Sequence, residues 1–365
     1  MLHGPLNIGG GTWRLVEAER RLGIDSHMLT FRSSWPGMES GGECLHFEKR
    51  SRPGRIAARI TGFARLLWRF DVFHFYWGDS FIHAPHLGVQ HWDFDVLRAL
   101  GKKIAMTFQG CDIRQKDQFL KEFDLCACSF CEEECGPRKQ RRKALNVEKT
   151  VRCADAVFVS TPDLLSVLPL ATLLPQTAPR LSPVDNYSPP PEGGPMRVLH
   201  SPTHRAKKGT NAVLRAVERL REEGIKIELV LNEGLSWERN IEAMRGCHLV
   251  LDQLCGGWYG YVSVEAMAMG LPVICHLRED LKARVPYGRD IPIIGADVYS
   301  IEEVLRRCSR EPGMLAARAA RGPAFVSEWH DADAHAGITA AAYGFEAKRD
   351  LAGLVSGGEG EDSDV

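Results

Sequence analysis

Two groups of charged side chains, each beside glycine, carry the chemistry this sequence could perform. The first is Arg205-Ala-Lys207-Lys208-Gly209, shortly after the apolar run Val198-Leu199-His200. Cations at a helix entrance, next to backbone N–H groups that have no partner within the helix, make a site for a diphosphate. A solvated basic turn is the plainer reading, but it does not explain why the cations follow a strand's carboxyl end. The second group lies between His248 and His276. Asp252 and Gln253 end an apolar strand, Gly257-Trp258-Tyr259-Gly260-Tyr261 makes a glycine-rich turn, and Glu265 falls about one turn into the next helix. An ordinary strand–helix–strand crossover, with glycines for packing, would read the same way.

The elements that must hold these groups are short apolar strands alternating with amphipathic helices, the pattern of parallel α/β sheets. In open sheets of this kind, ligands bind outside the strand carboxyl ends. The second half restarts the first: Leu2-His3-Gly4-Pro5, followed by Gly9, Gly10, Gly11 and Thr12, is echoed by Leu199-His200-Ser201-Pro202 and Gly209-Thr210. We therefore expect two similar doubly wound domains. Residues 1–180 would form the first and residues 196–330 the second. A proline-rich linker at 181–195 would separate them, within a stretch from Pro175 to Pro195 that holds seven prolines. Residues 331–350 read as an alanine-rich helix able to lie across both domains. The acidic, glycine-bearing end at 351–365 reads as a disordered tail.

The first half brings its own polar groups to strand ends. Asp71–Tyr76 leads to Trp77-Gly78-Asp79, and Lys103–Phe108 leads to Gln109-Gly110-Cys111-Asp112-Ile113-Arg114. Asp112 and Arg114 could orient a polyol, or could pair with each other as a structural link. Thr161-Pro162-Asp163 reads as the cap and start of a helix. Cys126, Cys128, Cys131 and Cys135 put four thiols in one loop, a donor set for a small structural zinc site; free thiols or a labile disulfide are the alternatives. The helix Arg55–Phe70 is basic, with no acid before Asp71. It could touch anionic lipid as a peripheral contact, or could pack on the sheet with a solvated arginine face.

Composition narrows the classes. The 365 residues carry 46 Lys and Arg against 47 Asp and Glu, a formal net charge of −1, so no global field favours nucleic acid or an anionic membrane. No apolar run approaches the roughly 20 residues that span a bilayer, and the N-terminus does not read as a signal peptide. Eleven cysteines without such a signal suggest reduced thiols in the cytoplasm.

Three pieces together resemble the retaining GT-B glycosyltransferases of bacteria: the loop Asn7–Gly11, the Lys208-Gly209 turn, and the run Gly257 to Val273, which contains Glu265-Ala-Met-Ala-Met-Gly270-Leu-Pro-Val. The likeness extends to about residue 348. It implies two Rossmann-like domains facing across a cleft, the C-terminal one binding a nucleotide-sugar and the N-terminal one an acceptor. Arg205 and Lys208 would hold the diphosphate and Glu265 the ribose hydroxyls. Gly10, Gly11, Asp252, Gln253, Gly257, Tyr259, Gly260 and Tyr261 would face the donor, a UDP- or GDP-sugar, with no catalytic divalent metal. Tyr76, Gln109, Asp112 and Arg114 would stand on the side of a small-molecule, glycan or lipid-linked acceptor. The family's commoner motif is Glu-x7-Glu, yet Gly257 occupies the first position, and Tyr76 and Gln109 stand where histidines are frequent. The expected activity is transfer of a sugar with retention of configuration; a non-catalytic nucleotide-sugar-binding partner subunit is the second reading.

Overall fold

In the computed structural model, residues 1–84, 88–131, 135–184, 186–191 and 193–345 are described. The tail at 351–365, and the part of the expected C-terminal helix at 346–350, lie outside the described residues. Two parallel sheets form, one from each half. The first contains β1 (Leu2–Gly4), β2 (His27–Thr30), β3 (Glu43–Cys44), β4 (Val72–Tyr76), β5 (Lys103–Phe108), β6 (Ala156–Val159) and β7 (Thr172–Leu173), in the order β3-β2-β1-β4-β5-β6-β7. The second contains β8 (Met196–His200), β9 (Ile227–Leu231), β10 (Leu249–Leu251), β11 (Val273–Cys275) and β12 (Ile293–Gly295), in the order β12-β11-β10-β8-β9. The strands pair in parallel throughout. Helices cover such sheets on both faces, which is why their strands read as continuous apolar runs.

In both sheets the opening strand lies inside, and the chain leaves it toward both edges. β1 sits between β2 and β4, and β8 between β9 and β10. The carboxyl end of such a strand is the switch point where ligands bind. Topology therefore aims the Pro5–Gly11 loop and the Ser201–Gly209 segment at the same kind of place.

The helices of the first half are α1 (Gly11–Arg21), α2 (Arg52–Leu67), α3 (Trp92–Ala99), α4 (Lys116–Glu122) and α5 (Pro137–Cys153). Those of the second are α6 (Arg205–Lys208), α7 (Thr210–Glu222), α8 (Trp237–Arg245), α9 (Tyr261–Ala268), α10 (Glu279–Lys282), α11 (Ile301–Arg310) and α12 (Pro312–Trp329). The final helix is α13 (Ala332–Tyr343). Right-handed crossovers put α1 on one face of the first sheet and α2, α3 and α5 on the other, because β1 to β2 steps in the opposite direction to β3, β4, β5 and β6. Phe63 and Leu66 of α2 and Phe94 and Leu97 of α3 share a core with Phe73, Phe75 and Ile104.

α13 crosses back to the first domain. Its Ala336 packs with Leu15 and Ala18 of α1, and Thr339 Oγ1 donates to Glu19 Oε1 at 3.0 Å. Glu19 Oε2 meets His3 Nε2 at 2.7 Å, and Tyr343 reaches His74 Nδ1. A buried polar network partnered this fully fixes one arrangement of the helix on the sheet.

One local expectation changes. Thr161-Pro162-Asp163 opens only a short 3-10 helix, Pro162–Ser166. Elsewhere, α12 continues through Gly322 and Pro323. The reason is packing: a Cβ at 322 would stand 2.6 Å from Met267 O, so glycine lets α12 press onto α9. Among the described residues, no helix is long and apolar enough to cross a membrane.

Candidate functional site

The two switch points face each other. Gly9 and Gly10 adopt left-handed backbone conformations (φ +57° and +72°) that turn the chain sharply into α1. The ring of Tyr261, first residue of α9, lies against this turn: a Cβ at Gly9 would be 2.5 Å from Tyr261 Cδ2, and one at Gly11 would be 2.1 Å from its hydroxyl. The glycine loop of one half and the aromatic residue of the other therefore form a single contact across the cleft.

Arg14, one turn into α1, was not singled out by its sequence position. It is buried, donates from Nη2 to Gly9 O at 2.6 Å and from Nε to Thr177 O at 3.2 Å, and lies over the Tyr261 ring at 5.7 Å. Its Nη1 pairs with Glu39 at 3.1 Å. The only signal in the sequence was an arginine closely following three glycines.

On the opposite wall, Gly209 (φ +78°) caps α6 and starts α7. A Cβ there would stand 2.9 Å from Leu254 Cβ, so glycine lets the cationic turn sit close to the loop after β10. Lys208 Nζ meets Asp252 Oδ1 at 2.7 Å. Asp252 Oδ2 accepts from Ser263 Oγ at 2.7 Å and from Gly260 N–H at 2.9 Å. Burial opposes ionisation of Asp252, but Lys208 and these donors outweigh it and hold the carboxyl below its usual range. Arg205 does not join this group; it is exposed and pairs with Glu233. Gln253 donates back to Trp258 O, which shapes the glycine turn, and Tyr259 is fully buried with its hydroxyl 3.0 Å from His330 Nε2.

Glu265 points toward the same space and accepts from Trp237 Nε1 at 2.7 Å. Burial pushes its pKa up to about 7, against the opposing effects of the Trp237 hydrogen bond and the Arg14 charge. Trp237 stands 28 residues before Glu265 and had no motif to reveal it. Gly257 is strained for any other residue: its φ is +74°, and a Cβ would lie 2.8 Å from Arg278 Cδ. Thus the position that lacks the family carboxylate is pressed upon by a cationic side chain, whose guanidinium lies 3.4 Å over the Phe123 ring of the first half.

The first half contributes hydrogen-bonding groups at neighbouring strand ends. Asp112 does not pair with Arg114. It accepts from the N–H groups of Gln109 at 2.9 Å and Gly110 at 2.6 Å, with burial pushing its pKa up to about 6, while Arg114 Nε bonds Asp163 Oδ2 at 2.6 Å. Gln109 Oε1, Ser160 Oγ, Thr161 Oγ1 and Asp163 Oδ1 are buried with no hydrogen-bond partner within the described residues. Buried polar atoms are nearly always partnered, so such a group at strand carboxyl ends suits an incoming ligand. Tyr76 behaves differently; its hydroxyl is held by His3 Nδ1 at 2.7 Å and His74 Nδ1 at 3.2 Å within the buried network.

Other contacts close the cleft. Trp35 Nε1 donates to Leu235 O at 2.8 Å, Trp237 N–H to Pro36 O at 2.9 Å, and Arg284 Nη1 to Ser166 Oγ at 2.8 Å. The cysteine loop belongs to this rim. Cys126, Cys128, Cys131 and Cys135 are all buried and unbridged, and Lys207 of α6 hydrogen-bonds the Cys131 thiol. Among the described residues, the one group of three metal-competent side chains whose ligand atoms all lie within 4.8 Å of one another is elsewhere: Cys44, His46 and Glu48. A cavity of 790 Å³ also lies away from the cleft, lined by Met1, Ile24, Phe70, Val72 and Tyr343. It sits at the amino ends of β1 and β4, the wrong end of the sheet for the chemistry described.

No protein-family model and no curated protein matches the chain. Solved structures do. A sucrose-phosphate synthase from Thermosynechococcus elongatus aligns with a TM-score of 0.59 at 15% identity, covering 94% of this chain and 97% of that one. Anabaena HepE in complex with UDP and glucose aligns at 0.57 and 12% identity, covering 93% and 97%. An α-glucosyltransferase in complex with UDP and a 13-mer DNA aligns at 0.57 and 13% identity, covering 94% and 98%. At these identities the likeness shows the fold, and the fold is GT-B.

Proposed function

We propose that the chain is a glycosyltransferase that moves a sugar from a nucleoside-diphosphate sugar, UDP- or GDP-linked, to an acceptor with retention of configuration. The observation that carries this reading is the cluster of Lys208, Asp252 and the Gly260 amide beside Tyr261, whose ring meets the Gly9–Gly11 turn, at facing switch points of two parallel sheets. In the reaction, the bond between the anomeric carbon and the diphosphate oxygen breaks, the acceptor hydroxyl oxygen bonds that carbon, and the hydroxyl proton passes to the departing diphosphate. The nucleoside diphosphate leaves with its added charge. A fixed cation in a site closed to water stabilises that charge far more than in bulk water, and this is often the largest part of the rate gain. Lys208 is placed for that role, with Arg14 as a second cation at the cleft. Arg205 would have to leave Glu233 to take part. Glu265 is suited to the ribose hydroxyls, with Trp237 fixing one of its oxygens. The fold's other members, including HepE with UDP-glucose, make a UDP-sugar the first donor to try.

The unpartnered Gln109, Ser160 and Thr161 atoms suit an acceptor rich in hydroxyls, such as a glycan or its lipid-linked form. A lipid-linked acceptor would be met at the inner face of the membrane, in keeping with a cytoplasmic enzyme in peripheral contact with it. Two features favour the second reading, a nucleotide-binding subunit without turnover: Gly257 replaces the first motif carboxylate, and Asp252 neutralises Lys208. Calorimetric titration with UDP and GDP, followed by assay of nucleoside-diphosphate release from their sugars, separates the two. Binding with release supports the transferase, and binding without release supports the subunit.

A further inference from the structure

The sequence leaves the basic helix α2 two readings, a contact with anionic lipid and a solvated arginine face, and in the structure an apolar stripe shares its outward side with the arginines. Ile56, Ile60 and Trp68, at its C-cap, are 52%, 53% and 73% exposed, with Ala57 and Ala64 exposed between them. These positions fall on one stripe at helical spacing and face outward, while Phe63, Leu66 and Leu67 face the sheet. Two arginines are folded away from the stripe. Arg55 Nε donates to Phe47 O at 2.8 Å, and the Arg59 guanidinium lies 4.1 Å over the Phe31 ring. Arg52 and Arg69 stay exposed at its flanks, and Arg65, also exposed, pairs with Glu43. α3, on the same face of the sheet, adds exposed Trp92 and Val96 one turn apart.

We infer that this face lies on an anionic lipid bilayer, with α2 in the plane of the interface. Charge selects that occupant. Residues 49–70 hold seven Lys and Arg and no acid, and α5, on the same face, holds seven against one Glu; Glu43 and Asp95 of α3 pair with Arg65 and Lys149, and a basic excess remains. A second copy of the chain would set two basic faces against each other. An anionic headgroup layer instead pairs with the arginines while the acyl boundary receives Ile56, Ile60 and the two indoles, which favour that depth. Exposed apolar patches of this continuity are unusual on a protein surface that stays in water. The stripe faces away from the first sheet, whereas Lys208 and Glu265 belong to the second half, so docking there leaves the cleft free.

The test is sedimentation of the full chain with phosphatidylcholine vesicles, with and without added phosphatidylglycerol. The wild type is expected to pellet with the anionic vesicles and to remain in the supernatant with the neutral ones. Ile60→Glu/Trp68→Glu alters only exposed side chains and is expected to abolish pelleting with unchanged thermal unfolding and nucleotide binding. Replacing Arg52 and Arg69 by Gln should weaken partitioning about fivefold per arginine, and added salt should weaken the wild type likewise. Equal pelleting with both vesicle types, or vesicle binding by Ile60→Glu/Trp68→Glu equal to that of the wild type, overturns the inference. So does a wild-type dimer in analytical ultracentrifugation that the same substitutions dissociate, because it would assign the face to a second copy.

Discussion

The Lys208 ammonium stands 2.7 Å from Asp252 Oδ1, and the two side chains are 16% and 1% exposed. The pair is therefore structural as well as functional. Removing the lysine strands a buried carboxylate, at a cost of about 3 kcal/mol or more. Lys208→Met should lower unfolding stability by about that amount in urea titrations, and Lys208→Met/Asp252→Asn should recover most of it. Equal stability of the single variant and the wild type would show that the pair is not coupled.

Glu265 gives a pH signature with a defined sign. Burial raises its pKa from 4.5 to about 7, so the folded chain binds a proton that the unfolded chain has released between those values. Stability conferred by the neutral carboxyl is thus lost as pH rises from 4.5 to about 7, by about 3 kcal/mol in all. Glu265→Gln should remove this slope from the difference between the two proteins. If the carboxylate binds ribose, nucleotide affinity in the wild type should rise through pH 7, and the Gln variant should be flat. Parallel profiles for both proteins would exclude the assignment.

Gly257 tests whether the missing motif carboxylate can be restored. Its left-handed backbone and the Arg278 side chain leave no place for a Cβ. A non-glycine residue in that conformation costs about 1–2 kcal/mol before any clash. Gly257→Glu should lower the melting temperature and leave donor turnover no higher than in the wild type. A gain in turnover would mean that the site is an incomplete version of the commoner motif, not a differently built one.

The acceptor side predicts a division of effects. Gln109→Leu and Ser160→Ala remove buried atoms that lack partners, so neither should reduce stability much. Both should raise the acceptor KM while leaving nucleotide binding unchanged. Loss of nucleotide affinity instead would move these groups to the donor side.

Much of this architecture was legible in the residues because it rests on local signals. Apolar runs, the repeated strand-and-turn openings and the proline-rich stretch marked two parallel sheets before any coordinates. Lys208, Asp252 and Glu265 followed from their positions after strands or in the next helix. What stayed hidden depends on distant contacts. Nothing in the sequence joins Trp237 to Glu265, Tyr261 to Gly11, or Arg278 to Gly257. Arg205 looked equivalent to Lys208, but the side chains diverge, one to Glu233 and one to Asp252. The outward face of α2 was obscured for a similar reason: the count of arginines was visible, whereas their folding onto Phe47 O and the Phe31 ring was not.

The most direct test of the central claim is nucleoside-diphosphate release from a panel of UDP- and GDP-sugars, comparing the wild type with Lys208→Met/Asp252→Asn. The double variant retains a neutral buried pair, so its behaviour reports on the cation and not on folding. The wild type should turn over at least one donor, and the variant should be slower by about two orders of magnitude or more, as for removal of other transition-state charge stabilisers. Near-equal rates, or a wild type that binds nucleotide but releases none from any sugar, would contradict the account.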